Sequence, residues 1–128
     1  MKIQSDGLVL VVDDIAENRA LANAFLKKLG WNVLEASSGL AAVEILEKVR
    51  PSHILLDVRM PGYDGLSVAR YVRDALADQK VRIVGYTAHA LPNEIQHFLR
   101  SGFDTVLIKP ITYADISSEF GTANTDFC

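Results

Sequence analysis

Short apolar runs alternate along this chain with longer stretches whose apolar residues recur every three or four positions, the pattern of strands and helices taking turns. The first run, Leu8-Val9-Leu10-Val11-Val12, is unbroken, as expected of a strand buried on both faces. After it, Leu21, Phe25 and Leu29 fall at helical spacing with Ala22 and Leu26 beside them, and Gly30 suits a left-handed helix end. A second strand is expected over 32–36. A second helix follows behind the N-cap Ser38, with Val43, Leu46 and Val49 on one face and Pro51 marking its end. Strand three covers 53–57, and Pro61 and Gly62 mark a loop. Helix three starts near Gly65 and buries Leu66, Ala69, Val72 and Leu76; strand four spans 82–87. Helix four runs over 92–101, with Pro92 in its first turn, Gly102 as its cap and Phe103 as a hydrophobic capping contact. Strand five covers 105–108. A short last helix, capped by Thr112 and supported by Asp115, stops before Gly121.

Five βα units of this length predict a doubly wound α/β fold: three layers, right-handed crossovers and a parallel sheet in the order 2-1-3-4-5. At 128 residues the chain fits a single domain, 1–128, with its core at about 8–120 and a loose polar tail over 121–128. The net charge of −3 provides no basic face, which argues against direct nucleic-acid binding. The sole cysteine, Cys128, rules out an internal disulfide and points to a reducing compartment. No apolar stretch approaches the ~20 residues of a membrane span, and the N-terminus lacks a signal-peptide pattern. A soluble cytoplasmic domain without membrane contact is therefore expected.

The chemistry concentrates at strand ends. Asp13 and Asp14 follow strand one, Asp57 ends strand three, Thr87 ends strand four and Lys109 follows strand five. In the doubly wound order the switch point lies between strands one and three, so the three acids would meet there. Carboxylates ~4 Å apart at an effective dielectric of ~20 repel by roughly 4 kcal/mol per pair. Proton uptake could relieve this, but a divalent cation relieves it better. With only oxygen ligands on offer a hard ion is expected, and Mg²⁺ fits best because it uses one or two carboxylates, waters and a phosphoryl group. Mg²⁺ and Lys109 together balance three negative charges. That suits an aspartyl nucleophile, with Lys109, the metal and the Thr87 hydroxyl stabilising a transferring phosphoryl group.

Taken together, Val-Val-Asp-Asp at 11–14, Leu-Leu-Asp-Val-Arg-Met-Pro at 55–61 with Asp64-Gly65, Tyr-Thr-Ala-His-Ala at 86–90 and Lys-Pro at 109–110 resemble the receiver domains of two-component signalling. The resemblance covers about 8–120 and implies a flavodoxin-like fold. It implies that Asp57 accepts a phosphoryl group from a phosphohistidine of a histidine kinase or histidine phosphotransfer domain. Asp14 would ligate Mg²⁺ directly, Asp13 mainly through water, and Asp57 and the backbone carbonyl of Arg59 would complete the ligands. Thr87 and Lys109 would bind phosphoryl oxygens. Arg59 and His89 stand at the two positions that tune dephosphorylation in similar proteins, with Ala88 and Pro110 as further modulatory positions. The Lys109–Pro110 bond is often cis in this family, although the general rate for X–Pro is only about 5–6%.

Two features depart from the common receiver pattern. Val106 stands three residues before Lys109, where receivers with a rotating ring carry Tyr or Phe. After Lys109 the chain has no Lys or Arg, which argues against the charged dimer of winged-helix-type receivers. The Thr-Ala-His-Ala-Leu and Lys-Pro-Ile stretches are more similar to receivers of hybrid sensor kinases, with a free-standing single-domain regulator as the alternative. The expected role is signalling, with promotion of its own phosphorylation and dephosphorylation, rather than enzymatic turnover. An aspartate-nucleophile phosphatase of the haloacid dehalogenase type would need a second acid two residues after the nucleophile, where Arg59 stands. A flavodoxin-like cofactor binder would offer a glycine-rich loop to phosphate, where Asp13-Asp14-Ile15-Ala16-Glu17 is acidic. Of the histidines, His53 reads as structural and His97 as exposed on helix four; Trp31 and Phe25 read as packing residues.

Overall fold

Five parallel strands pair in the order β2-β1-β3-β4-β5 in the computed structural model, which describes residues 4–123. The strands are β1 (Gln4–Val12), β2 (Asn32–Ala36), β3 (Arg50–Asp57), β4 (Arg82–Thr87) and β5 (Thr105–Ile108). The helices are α1 (Ala16–Lys28), α2 (Gly39–Leu46), α3 (Gly65–Arg70), α4 (Pro92–Arg100) and α5 (Tyr113–Phe120). A π turn, Tyr71–Ala75, continues α3 directly. Tail residues 124–128, Cys128 among them, lie outside the described residues.

Strand side chains point alternately to the two faces, so each unbroken apolar run feeds two cores. Leu10, Val12, Ile54, Leu56 and Ile83 pack with Ala42, Leu46, Val68, Val72 and Phe98 from α2, α3, its π turn and α4. Val9, Val11, Leu55, Val84 and Tyr86 pack with Ala22, Leu26, Ile116 and Phe120 from α1 and α5. This gives the expected three layers with both sheet faces covered. No described helix is long and apolar enough to cross a membrane.

The punctuation read from sequence operates as local chemistry predicts. Ser38 accepts the Ala41 N–H at 3.1 Å, a cap worth about 1 kcal/mol. Thr112 accepts the Asp115 N–H and Asp115 returns the favour to Thr112 N–H. The Phe103 N–H closes the end of α4 on the Phe98 carbonyl at 3.3 Å, and the two rings lie 6.2 Å apart. Trp31 and His53 stack edge-on at 4.6 Å beneath Phe120, consistent with packing roles for both.

Five expectations need correction. Leu21 is 40% exposed, because α1 presents Ala22 and Leu26 inward, with Leu29 buried at its C-cap, while the half-buried Phe25 turns toward the Tyr113 ring. β1 begins at Gln4 and β3 at Arg50, both earlier than their apolar runs, because Gln4 and Ser5 pair with Arg50 and Pro51 before the register shifts ahead of Val9. Pro51 is therefore the second residue of a strand, next to the register shift, where a missing N–H is tolerated, while α2 ends at Leu46 and leaves Val49 beyond it. On α2 and α3 the deepest residues are Ala42, Leu46, Val68, Ala69 and Val72, with Val43, Leu66 and Leu76 only half-buried. The tail is tied down at its start: the Trp31 indole donates to the Gly121 carbonyl at 2.8 Å and the Ala123 N–H to the Leu29 carbonyl at 3.0 Å.

Candidate functional site

The switch point between β1 and β3 gathers the acids. Asp13 follows β1 and is fully buried, Asp57 ends β3 at 3% exposure, and Asp14 lies exposed at the rim. Each offers a carboxylate oxygen within 4.8 Å of the others. Lys109, just beyond β5, places Nζ 3.2 Å from Asp13 Oδ2 and 3.3 Å from Asp57 Oδ2. It is followed by a cis peptide bond to Pro110. Thr87 is buried at the end of β4, and its hydroxyl donates to the His89 carbonyl at 3.3 Å. Ala88 and His89 continue outward from it, both exposed.

The backbone near the acids is closely set. The Arg59 N–H donates to Asp57 Oδ1 at 3.2 Å, and the Ile15 N–H to Asp13 Oδ1 at 2.9 Å. Asp64 caps α3 through the Ser67 N–H, and the Gly65 N–H donates to the Val58 carbonyl. A Cβ on Gly65 would sit 2.2 Å from the Asp57 carbonyl oxygen, so only glycine lets this helix start directly against the strand end.

Electrostatics separates the two buried acids. Burial pushes the Asp57 carboxyl up to about 6, reinforced by the charge of Asp13 and opposed by Lys109 and the Arg59 N–H. Burial also works to raise Asp13, but hydrogen bonds from Tyr86 and Ile15, together with Lys109, hold it below its ordinary value. Both are ionised at neutral pH, with one lysine between them. All the side-chain donors of the cluster are hard oxygens and the local charge is unbalanced, so the set fits a divalent cation of the Mg²⁺ class.

The family model for the response regulator receiver domain matches residues 9–120. The chain belongs to the receiver family. Sensor histidine kinase RcsC of Salmonella typhimurium is 38% identical over 107 residues, covering 84% of this chain and 11% of that protein. Sporulation initiation phosphotransferase F of Bacillus subtilis is 32% identical over 108 residues, covering 84% of this chain and 86% of that one. The receiver domain of a Pseudomonas aeruginosa sensor histidine kinase, solved with a magnesium ion coordinated in its active site cleft, is 31% identical with a TM-score of 0.77, covering 90% and 94%. The receiver spans only 11–17% of the length of the transcription factor and sensor kinases among its curated relatives.

Sequence reasoning missed three residues of this receiver's site. Tyr86 is 1% exposed and donates its hydroxyl to Asp13 Oδ2 at 2.6 Å. Arg19, on the first turns of α1, donates to the Asp13 carbonyl at 2.7 Å. Glu94 receives the Arg59 guanidinium at 3.0 Å. A polar tip at an inward position of an apolar strand was the available signal for Tyr86. The other two carried none. At β5, half-buried Val106 packs against the core shared with α2 and α3, and Phe103 instead supplies the ring beside Gly85.

Proposed function

We propose that this receiver takes a phosphoryl group onto Asp57 from the phosphohistidine of a histidine kinase or histidine phosphotransfer domain, and that modification changes its binding to partners. The observation that carries this reading is the Lys109 ammonium shared between Asp13 and Asp57 beside a third carboxylate. An Asp57 carboxyl near 6 is ionised at neutral pH and so available as a nucleophile. Its oxygen forms the new bond to phosphorus as the bond to the donor imidazole breaks. Lys109 then follows the charge onto a phosphoryl oxygen. The Thr87 hydroxyl, held by the His89 carbonyl in the unmodified protein, exchanges that acceptor for another phosphoryl oxygen.

Asp13, Asp14, Asp57 and the Arg59 backbone carbonyl would hold Mg²⁺. When bound, the ion supplies the positive charge that lets an anionic donor approach three carboxylates. The domain acts as an acceptor that promotes its own modification and its reversal, not as a turnover enzyme. Arg59, Ala88, His89 and Pro110, all exposed, tune the lifetime of the modified state in this reading.

The likeness to RcsC supports a receiver carried by a hybrid sensor kinase. Work in the cytoplasm without direct contact to nucleic acid or membrane is part of the same proposal, in keeping with the net charge of −3. The match over 86% of sporulation initiation phosphotransferase F favours a second reading, a single-domain relay component. Phosphotransfer profiling against candidate phosphohistidine donors separates the two by partner.

Acetyl phosphate with Mg²⁺ tests the reading directly. It adds one phosphate to the wild-type protein by mass spectrometry and none to Asp57→Asn. An unmodified wild-type mass, under conditions that label a control receiver, refutes it.

A further inference from the structure

Tyr86 lies in β4, yet its hydroxyl serves Asp13, the residue just after β1, two strands away. The sheet order places β3 between them, so the phenol reaches past the end of β3 to Asp13. The ring is buried in the core shared with α1 and α5, beside Val11, Leu55 and Ile111. Lys109 Nζ stands 4.7 Å from the ring centroid and contacts the same Asp13 oxygen as the phenol. Asp13 Oδ1 is held independently by the Ile15 N–H. Both oxygens of this buried carboxylate are therefore fixed, one from its own loop and one from across the sheet.

The two donors on Oδ2 differ in kind. Lys109 divides its ammonium between Asp13 and Asp57, at 3.2 and 3.3 Å, and sits on a flexible stem. Tyr86 has a rigid ring with a short reach, and its hydroxyl has one partner. When Lys109 turns to a phosphoryl group, Tyr86 remains as the side-chain donor to Asp13.

We infer that Tyr86 is a positioning residue for the divalent cation: its hydroxyl holds Asp13 in the orientation that lets Asp13, Asp14 and Asp57 face one ion. This rests on the metal reading of the acidic cluster above. Partners behind metal-binding groups commonly change affinity by 10–100-fold when removed. Tyr86→Phe deletes the donor and keeps the ring, so packing and the Lys109 contact to the ring face persist.

The test is calorimetric titration of MgCl₂ into wild-type protein, Tyr86→Phe and Val84→Ala. The Phe variant binds Mg²⁺ roughly 10-fold more weakly, while its labelling by acetyl phosphate reaches the wild-type rate once Mg²⁺ saturates. Val84→Ala loosens the same core without touching Asp13 and leaves Mg²⁺ affinity unchanged. Should the Phe variant not fold, Tyr86→Leu also lacks the donor and is held to the same criterion. Equal Mg²⁺ affinity with and without the hydroxyl overturns the role of Tyr86. Absence of Mg²⁺ binding by the wild type removes the metal reading itself.

Discussion

Arg59 pairs with Glu94 across 3.0 Å, tying the loop that follows Asp57 to the first turn of α4. Glu94 also accepts the Leu91 N–H at 2.8 Å, so one carboxylate closes the helix cap and the ion pair together. The pair is exposed and adds little to global stability. Its effect is local. Glu94→Ala is expected to speed amide hydrogen exchange at Leu91 and leave the Tm almost unchanged, and an unaltered Leu91 exchange rate would show that the cap is open in solution.

Asp57 makes stability depend on pH. Its folded value of about 6 lies above its ordinary 3.8, so the folded protein binds more protons between these values. The stability contribution is greatest below pH ~4, falls as pH rises toward ~6 and is flat above. Raising this carboxyl from 3.8 to about 6 corresponds to a penalty of order 3 kcal/mol at neutral pH. Without divalent ions, Asp57→Asn is therefore more stable than wild type at pH 7.5 by up to that amount, and the gap closes toward pH 4. Urea unfolding of both proteins from pH 4 to 8 measures it.

Lys109→Met leaves two buried carboxylates without their shared cation. Breaking a buried pair in this way costs about 3 kcal/mol. The loss is expected at pH 7.5 and shrinks at pH 4.5, where Asp57 is protonated. A loss of equal size at both pH values would mean that the lysine stem, and not its charge, matters for stability.

Asp14 is exposed, so its removal separates metal binding from folding. Asp14→Ala, or EDTA added to wild type, is expected to abolish phosphate addition from acetyl phosphate while the circular dichroism spectrum and Tm persist. Undiminished labelling in EDTA refutes the dependence on Mg²⁺.

Gly65→Ala forces a methyl to within 2.2 Å of the Asp57 carbonyl. Relief requires the start of α3 to shift, at a cost of about 3 kcal/mol. Denaturant unfolding is expected to show that loss, together with slower labelling of Asp57 because the strand end moves. A neutral substitution would mean that α3 can slide freely.

Much of this protein was readable from local pattern. Short apolar-rich stretches bounded by turn residues located β2, β4 and β5 to the residue, and Ser38, Thr112, Gly102 and Pro92 marked helix ends because capping is chemistry between residues a few positions apart. The doubly wound order then followed from repeated βα units, and it predicted that Asp13, Asp14, Asp57 and Lys109 meet at one edge. Periodicity misjudged Leu21 because helical spacing defines a stripe but leaves its rotation to the neighbouring sheet and α5. It missed the early start of β3 because the Ser5–Pro51 pairing owes nothing to an apolar run.

The sequence by itself determined which residues reach the carboxyl edge, since strand ends are set by runs of apolar residues and the turns that stop them. Only the tertiary structure decided which of them touch: Tyr86 with Asp13 across β3, Arg59 with Glu94 between loop and helix, and one lysine between two acids. Those contacts join residues dozens of positions apart. Their geometry depends on strand register, helix rotation and side-chain reach acting together, and no local stretch of sequence encodes that combination.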